Sequence, residues 1–126
     1  MTEIVWIDVP EVLAIHAHQI DEHGGASGLR DRALLESALA RPRQLQAYSN
    51  PDLFDLAAAY AAAIIANHPF VDGNKRTGFV VGVLFMELNG PSLAASEADA
   101  TAAALDLAAG AINENEFAAW LRDNSK

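Results

Sequence analysis

The chain has 126 residues, 52% hydrophobic and 20% charged, with 17 acidic against 8 basic residues and a formal net charge of −9. That is one domain, long enough for a hydrophobic core, and its acidity argues against general binding to nucleic acid or anionic membranes. Cysteine is absent, which excludes disulfide and thiolate chemistry and suits a reducing compartment; with no basic-then-apolar leader and no apolar run of about 18 residues, the expectation is a cytoplasmic protein.

Abundant alanine and few aromatics favour helix over sheet. Residues 4–7, Ile4-Val5-Trp6-Ile7, read as a short strand. Asp8 with Glu11 forms a capping pair, Pro10 fits a first turn, and a helix over residues 10–22 turns Val12, Leu13, Ile15, His16 and Ile20 inward. His16 and His18 are two apart, so they face different sides and are poor joint metal ligands; His16 is the better candidate for a buried hydrogen bond. Residues 23–28 hold three glycines without the Gly-x-Gly-x-x-Gly spacing and without a preceding strand, so no dinucleotide fingerprint is expected.

Arg30 and Asp31 read as an ion pair at a helix start, with direct contact to substrate as the alternative. The helix over residues 31–39 is expected to stop before Arg41-Pro42, because a residue ahead of proline avoids helical backbone. Residues 41–51 then form a connecting loop in which Tyr48 is exposed. From residue 52 to 67 the chain is apolar at helical period, with Leu53, Leu56, Ala57, Tyr60 and Ile64 on one face; Pro69 ends this helix at His68. A second apolar segment runs from residue 77 to 88 and carries Val80, Val81, Leu84, Phe85 and Leu88. Asn89-Gly90 stops it. Residues 91–95 are read as extended and are paired with residues 4–7 as a minor two-stranded element. Ser96 opens an alanine-rich helix to Ala109. Asn113, with Glu116 three on, opens a last one with Phe117, Trp120 and Leu121 on its apolar face, and the tail from Asp123 is expected to fray.

The chemistry concentrates in His68-Pro69-Phe70-Val71-Asp72-Gly73-Asn74-Lys75-Arg76. Histidine is the side-chain type suited to proton transfer near neutral pH, so His68 can serve as a general base. Asp72 is a hard oxygen ligand suited to Mg²⁺. Gly73 and Asn74 stand where the second apolar helix begins, and the first N–H groups of a helix lack intrahelical partners and receive anions. Lys75 and Arg76 add two cations of different shape. Each piece alone has a plainer role: a structural histidine, an Asp-Gly-Asn turn, a solvated Lys-Arg pair. Together they suit phosphoryl or nucleotidyl transfer, which depends on positioning and charge neutralisation. Phe70 is expected to pin the loop from inside, Asn74 either to touch phosphate or to fix the loop, and Asn67 either to cap or to lie exposed.

The run resembles the Fic/Doc family signature His-Pro-Phe-x-Asp/Glu-Gly-Asn-Gly/Lys-Arg, with every fixed position filled. Most Fic proteins have Gly where Lys75 stands; the Doc ("death on curing") branch has Lys. Two further stretches are similar to Doc, Gly24 through Asp31 and Leu34 through Pro42, as is Asn89-Gly90. The resemblance, from about Ile4 to Leu121, implies a compact all-α bundle of about six helices. It also implies ATP as co-substrate with Mg²⁺: His68 as base, Asp72 on the metal, and Gly73, Asn74, Lys75 and Arg76 on the phosphates. Fic members with Gly at the Lys75 position move AMP to a protein hydroxyl. A lysine there would intrude on the β-phosphate and could reverse the nucleotide, so that the γ-phosphate faces the histidine. Doc-type members act as protein kinases on a threonine of elongation factor Tu, arrest translation, and are toxins held by a small Phd-type antitoxin. The expectation is therefore a Doc-like kinase toxin, with an AMP-transferring enzyme and a catalytically idle binding module as alternatives. Gly73 matches the Fic consensus where some Doc members carry Ala. The self-inhibitory Ser/Thr-x-x-x-Glu-Gly/Asn pattern is absent from the sequence, which fits either control in trans by an antitoxin or no inhibitor at all.

Overall fold

The apolar periodicity resolves into six helices among the described residues: α1 (Val9–His23), α2 (Arg32–Tyr48), α3 (Leu53–Asn67), α4 (Asn74–Leu88), α5 (Glu97–Ala109) and α6 (Glu114–Asp123). The structure is a computed structural model and describes residues 3–126. The helix starts follow the side-chain chemistry. The Glu11 carboxylate accepts from the Asp8 N–H at 2.9 Å. Asp52 and Asp55 exchange hydrogen bonds at 2.9 and 2.8 Å, and Asn113 and Glu116 do the same at 2.9 and 2.8 Å.

Helix α3 is the axis of the bundle. Leu56, Ala57, Ala58, Ala59, Tyr60, Ala61 and Ile64 are all buried, as expected of a helix that is apolar nearly all round. Helices α2, α4 and α6 pack around it. Helix α4 approaches closest: a Cβ on Gly82 would stand 2.8 Å from the Ala57 carbonyl oxygen, and one on Gly78 3.0 Å from that of Ala61. The glycines thus let two backbones come into contact, and so fix the start of α4 relative to the end of α3. Tyr60 ties in the N-terminal segment: its hydroxyl accepts from the Ile7 N–H at 2.9 Å and donates to the Ile7 carbonyl at 3.1 Å. Burial pushes the pKa of this phenol up.

Three expectations fail here, each for a tertiary reason. Helix α2 does not stop at residue 39; it passes through Pro42 and ends at Tyr48. An internal proline costs about 3 kcal/mol, but Pro42 is buried and the helix is anchored on either side of it. Arg43 bonds Asp8 at 3.1 Å and lies 4.8 Å over the Trp6 ring, while Arg41 reaches Glu114 at 3.1 Å. Residues 4–7 do not pair with residues 91–95. Asn89 brackets Val5 instead, accepting from its N–H at 2.8 Å and donating to its carbonyl at 3.0 Å. Residues 91–95 pair with the C-terminal tail, where Leu93 and Ser125 form an antiparallel bridge flanked by reciprocal Ser92–Lys126 backbone bonds at 3.0 and 2.8 Å. The tail is therefore tied down rather than frayed. Among the described residues no helix is long and apolar enough to cross a membrane.

Candidate active site

The loop between α3 and α4 is closed from within by Asn74. Its side-chain oxygen accepts from the Phe70 N–H and its amide donates to the Phe70 carbonyl, both at 2.9 Å. Fixing the loop, one of the two roles expected of this side chain, is a role these bonds perform. Phe70 is buried as expected, and its ring stacks on His16 with centroids 3.8 Å apart. His16 Nε2 in turn donates to the Asp72 carbonyl at 2.8 Å. A carbonyl can only accept, so this bond places the ring proton on Nε2.

His68 caps α3 in the left-handed conformation, φ 53° and ψ 53°, and is the one non-glycine residue with positive φ among those described. Its side chain is exposed. Arg30 and Asp31 do not form the expected ion pair. The Arg30 guanidinium donates to the carbonyls of His68 and Asn67 at 2.8 and 3.2 Å, and Asp31 caps α2, accepting from the Leu34 N–H at 3.1 Å. Asn67 donates to the Leu34 carbonyl at 2.9 Å, which ties the end of α3 to α2.

Asp72 is exposed and its carboxylate is organised by backbone donors. The Gly73 N–H bonds one oxygen at 2.8 Å and the Ala26 N–H the other at 3.2 Å. These two amides, Gly73 first, hold its pKa below the usual aspartate range against a small opposing desolvation, with help from Arg76 and His16. Each oxygen keeps a further lone pair. An ionised, exposed carboxylate of this kind fits Mg²⁺, which commonly takes one protein carboxylate together with phosphate oxygens and water. The glycine loop has a steric reason as well: a Cβ on Gly25 would sit 2.6 Å from Asp72 Oδ2.

Gly73 is the N-cap of α4 at φ 76°. No acceptor bonds the N–H groups of Asn74, Lys75 or Arg76 among the described residues, so three amides with partial positive charge are left without a protein partner. His68, Asp72, Gly73, Asn74, Lys75 and Arg76 line one cleft of about 420 Å³, joined by Ile65 of α3 and Ala108 of α5. All the residues singled out in the motif are thus brought together. Arg32, Arg41, Arg43 and Arg122 lie within 3.4 Å of a carboxylate, whereas Lys75 and Arg76 have no carboxylate within ion-pair distance among the described residues. Their charge is left to the cleft.

Comparison with known proteins agrees with this geometry. The Fic/DOC family model matches residues 6–86, more than half of the chain. The chain belongs to the Fic/DOC family. A protein named Toxin Doc from Mycolicibacterium smegmatis is 43% identical over 76 residues, 57% of this chain and 57% of that protein. Protein kinase doc of Escherichia phage P1 is 35% identical over 85 residues, 67% of this chain and 68% of that protein. The match to Toxin Doc therefore spans little more than half of that relative's length. Both relatives lie on the Doc branch, as Lys75 implies. The Fic/DOC match ends before α5, so Ala108 enters the cleft from outside the matched region. Two supporting residues, His16 and Arg30, carry no motif signal of their own. For Arg30 the hint was its place in the Doc-like segment from Gly24 to Asp31.

Proposed function

We propose that this Fic/DOC protein is a Doc-like toxin and a protein kinase. It moves the γ-phosphoryl group of ATP to a hydroxyl, a threonine of elongation factor Tu, in the cytoplasm. The observation that carries this reading is the convergence on one cleft of an exposed histidine, an ionised aspartate and an open helix N-terminus with two cations free of acid partners.

In this mechanism His68 takes the proton of the target hydroxyl. The hydroxyl oxygen forms a bond to the γ-phosphorus, and the bond from that phosphorus to the β–γ bridging oxygen breaks, releasing ADP. Lys75, Arg76 and the N–H groups at the start of α4 neutralise the charge that builds on the transferred group and the leaving phosphate. Asp72 would hold Mg²⁺, which when bound screens the phosphate charges. Lys75 lines the cleft, and it favours transfer of phosphate over AMP because a lysine where AMP-transferring Fic members have glycine would intrude on the β-phosphate. The names of the relatives, Toxin Doc and Protein kinase doc, support the same assignment, and they support restraint by a Phd-like antitoxin.

The test is label transfer to elongation factor Tu from ATP carrying the label on either the γ- or the α-phosphorus. Transfer of the γ-label supports the kinase; transfer of the α-label makes the protein an AMP transferase. Toxicity in cells that survives His68→Ala would leave a binding module without catalysis.

A further inference from the structure

The backbone of His68 is held where it has little reason to be. A left-handed conformation costs a non-glycine residue about 1–2 kcal/mol, and the proline that follows at position 69 further disfavours helical backbone at His68. Such a conformation persists only where the surroundings over-determine it. Here the surroundings are one short segment outside the signature motif. The carbonyls of Asn67, His68 and Pro69 all accept from residues 30 and 31. Arg30 gives Nε to His68 at 2.8 Å and its terminal nitrogen to Asn67 at 3.2 Å, while the Arg30 and Asp31 N–H groups give to Pro69 at 2.7 and 3.0 Å. On the other side, the His68 N–H donates to Ile64 at 3.1 Å.

We propose that Arg30 is a positioning residue: its guanidinium clamps the C-terminal carbonyls of α3 and holds His68 in the left-handed turn that aims the imidazole into the cleft. The fork suits this task. Two donors in fixed geometry engage two successive carbonyls, which a single ammonium cannot match. Its charge also complements the negative end of α3. The side chain is exposed, so its removal leaves the buried core intact. The backbone bonds from residues 30 and 31 to Pro69 are retained in Arg30→Met and Arg30→Lys. What is lost is the hold on His68 itself. The inference rests on His68 acting as the base, but it assigns a separate residue and a separate failure.

The test compares wild type, Arg30→Met and Arg30→Lys in the full chain with Mg·ATP and elongation factor Tu. Arg30→Met is expected to lower kcat about ten- to a hundredfold, the scale of a misplaced catalytic group. Its affinity for Mg·ATP should stay within about twofold, since the phosphate-facing amides and cations are untouched. Arg30→Lys, which keeps the charge and an ammonium donor but not the planar fork, should recover part of the loss. In parallel, the one-bond Cα–Hα coupling of His68 measured by NMR should lose its positive-φ signature in Arg30→Met and keep it in wild type. An unchanged kcat overturns the proposal. So does a fall in kcat with the His68 backbone unmoved, and so does an equal loss of ATP affinity and rate. If wild type transfers nothing, or His68→Ala is as active as wild type, the transferase reading itself fails, and the role given to Arg30 falls with it. Active wild type with an indifferent Arg30→Met sinks the clamp alone.

Discussion

Asn74 and Phe70 are joined by two hydrogen bonds, one in each direction and both at 2.9 Å. The ring they form turns the Asp-Gly-Asn segment into a fixed platform, because Phe70 is buried and stacked on His16. Removing the amide leaves a buried N–H and a buried carbonyl unpaired, each worth about 1–3 kcal/mol. Asn74→Ala should therefore destabilise the protein by about 2–4 kcal/mol in urea unfolding, and should weaken Mg·ATP binding even below saturation of the unfolding transition. A loss under about 0.5 kcal/mol would mean that the platform is held elsewhere.

Helix propensity and packing oppose each other at Gly82. Alanine gains about 1 kcal/mol over glycine within a helix, yet a Cβ there would meet the Ala57 carbonyl oxygen at 2.8 Å. That neighbour is backbone and cannot swing aside, and overpacking costs about 1–3 kcal/mol. Gly82→Ala should be net destabilising by thermal or urea unfolding. Gly78→Ala should be milder, since its Cβ would meet the Ala61 oxygen at 3.0 Å and otherwise the flexible Ile65 side chain.

Gly25 and Gly24 separate backbone strain from damage to the site. Both have positive φ, at 113° and 79°, but a Cβ on Gly25 would reach 2.6 Å from Asp72 Oδ2, and one on Gly24 would meet nothing within 4 Å. Gly25→Ala should displace the carboxylate and lower Mg²⁺-dependent ATP affinity about tenfold, on the scale of a lost supporting contact at a metal ligand. Gly24→Ala should leave that affinity unchanged. Calorimetric titration of Mg·ATP into both variants checks this.

Asp72 should stay ionised to a lower pH than an ordinary aspartate, because the Gly73 and Ala26 amides favour its charged form. Its folded pKa is the lower one, so the small stability it contributes is present above the unfolded value and is lost as pH falls through the folded value. NMR titration of its carboxyl carbon should give a midpoint below the usual value of roughly 3.9. Arg76→Gln should raise that midpoint only slightly, since Arg76 ranks behind the two amides.

Capping pairs, helical periodicity and the His68–Arg76 motif are all written locally, and so the six helices and the motif's share of the cleft lining could be read from the chain alone, while Ile65 and Ala108 could not. What escaped was written in distant contacts. Pro42 looked like a stop until Arg43 found Asp8 and Trp6. Residues 4–7 looked like half of a strand pair until the Asn89 side chain took Val5. Arg30 beside Asp31 suggested an ion pair, because nothing local announces that the end of α3 offers two carbonyls across a gap of 37 and 38 residues. His16 could be assigned a buried hydrogen bond, but its acceptor, the Asp72 carbonyl, lies 56 residues away.

The most direct measurement is the intact mass of elongation factor Tu after incubation with the protein, ATP and Mg²⁺. Phosphate transfer adds roughly 80 Da, whereas AMP transfer adds about 329 Da. The account predicts the smaller increment with wild type and none with His68→Ala. An unchanged mass with wild type, or the smaller increment persisting at full rate in His68→Ala, would contradict it.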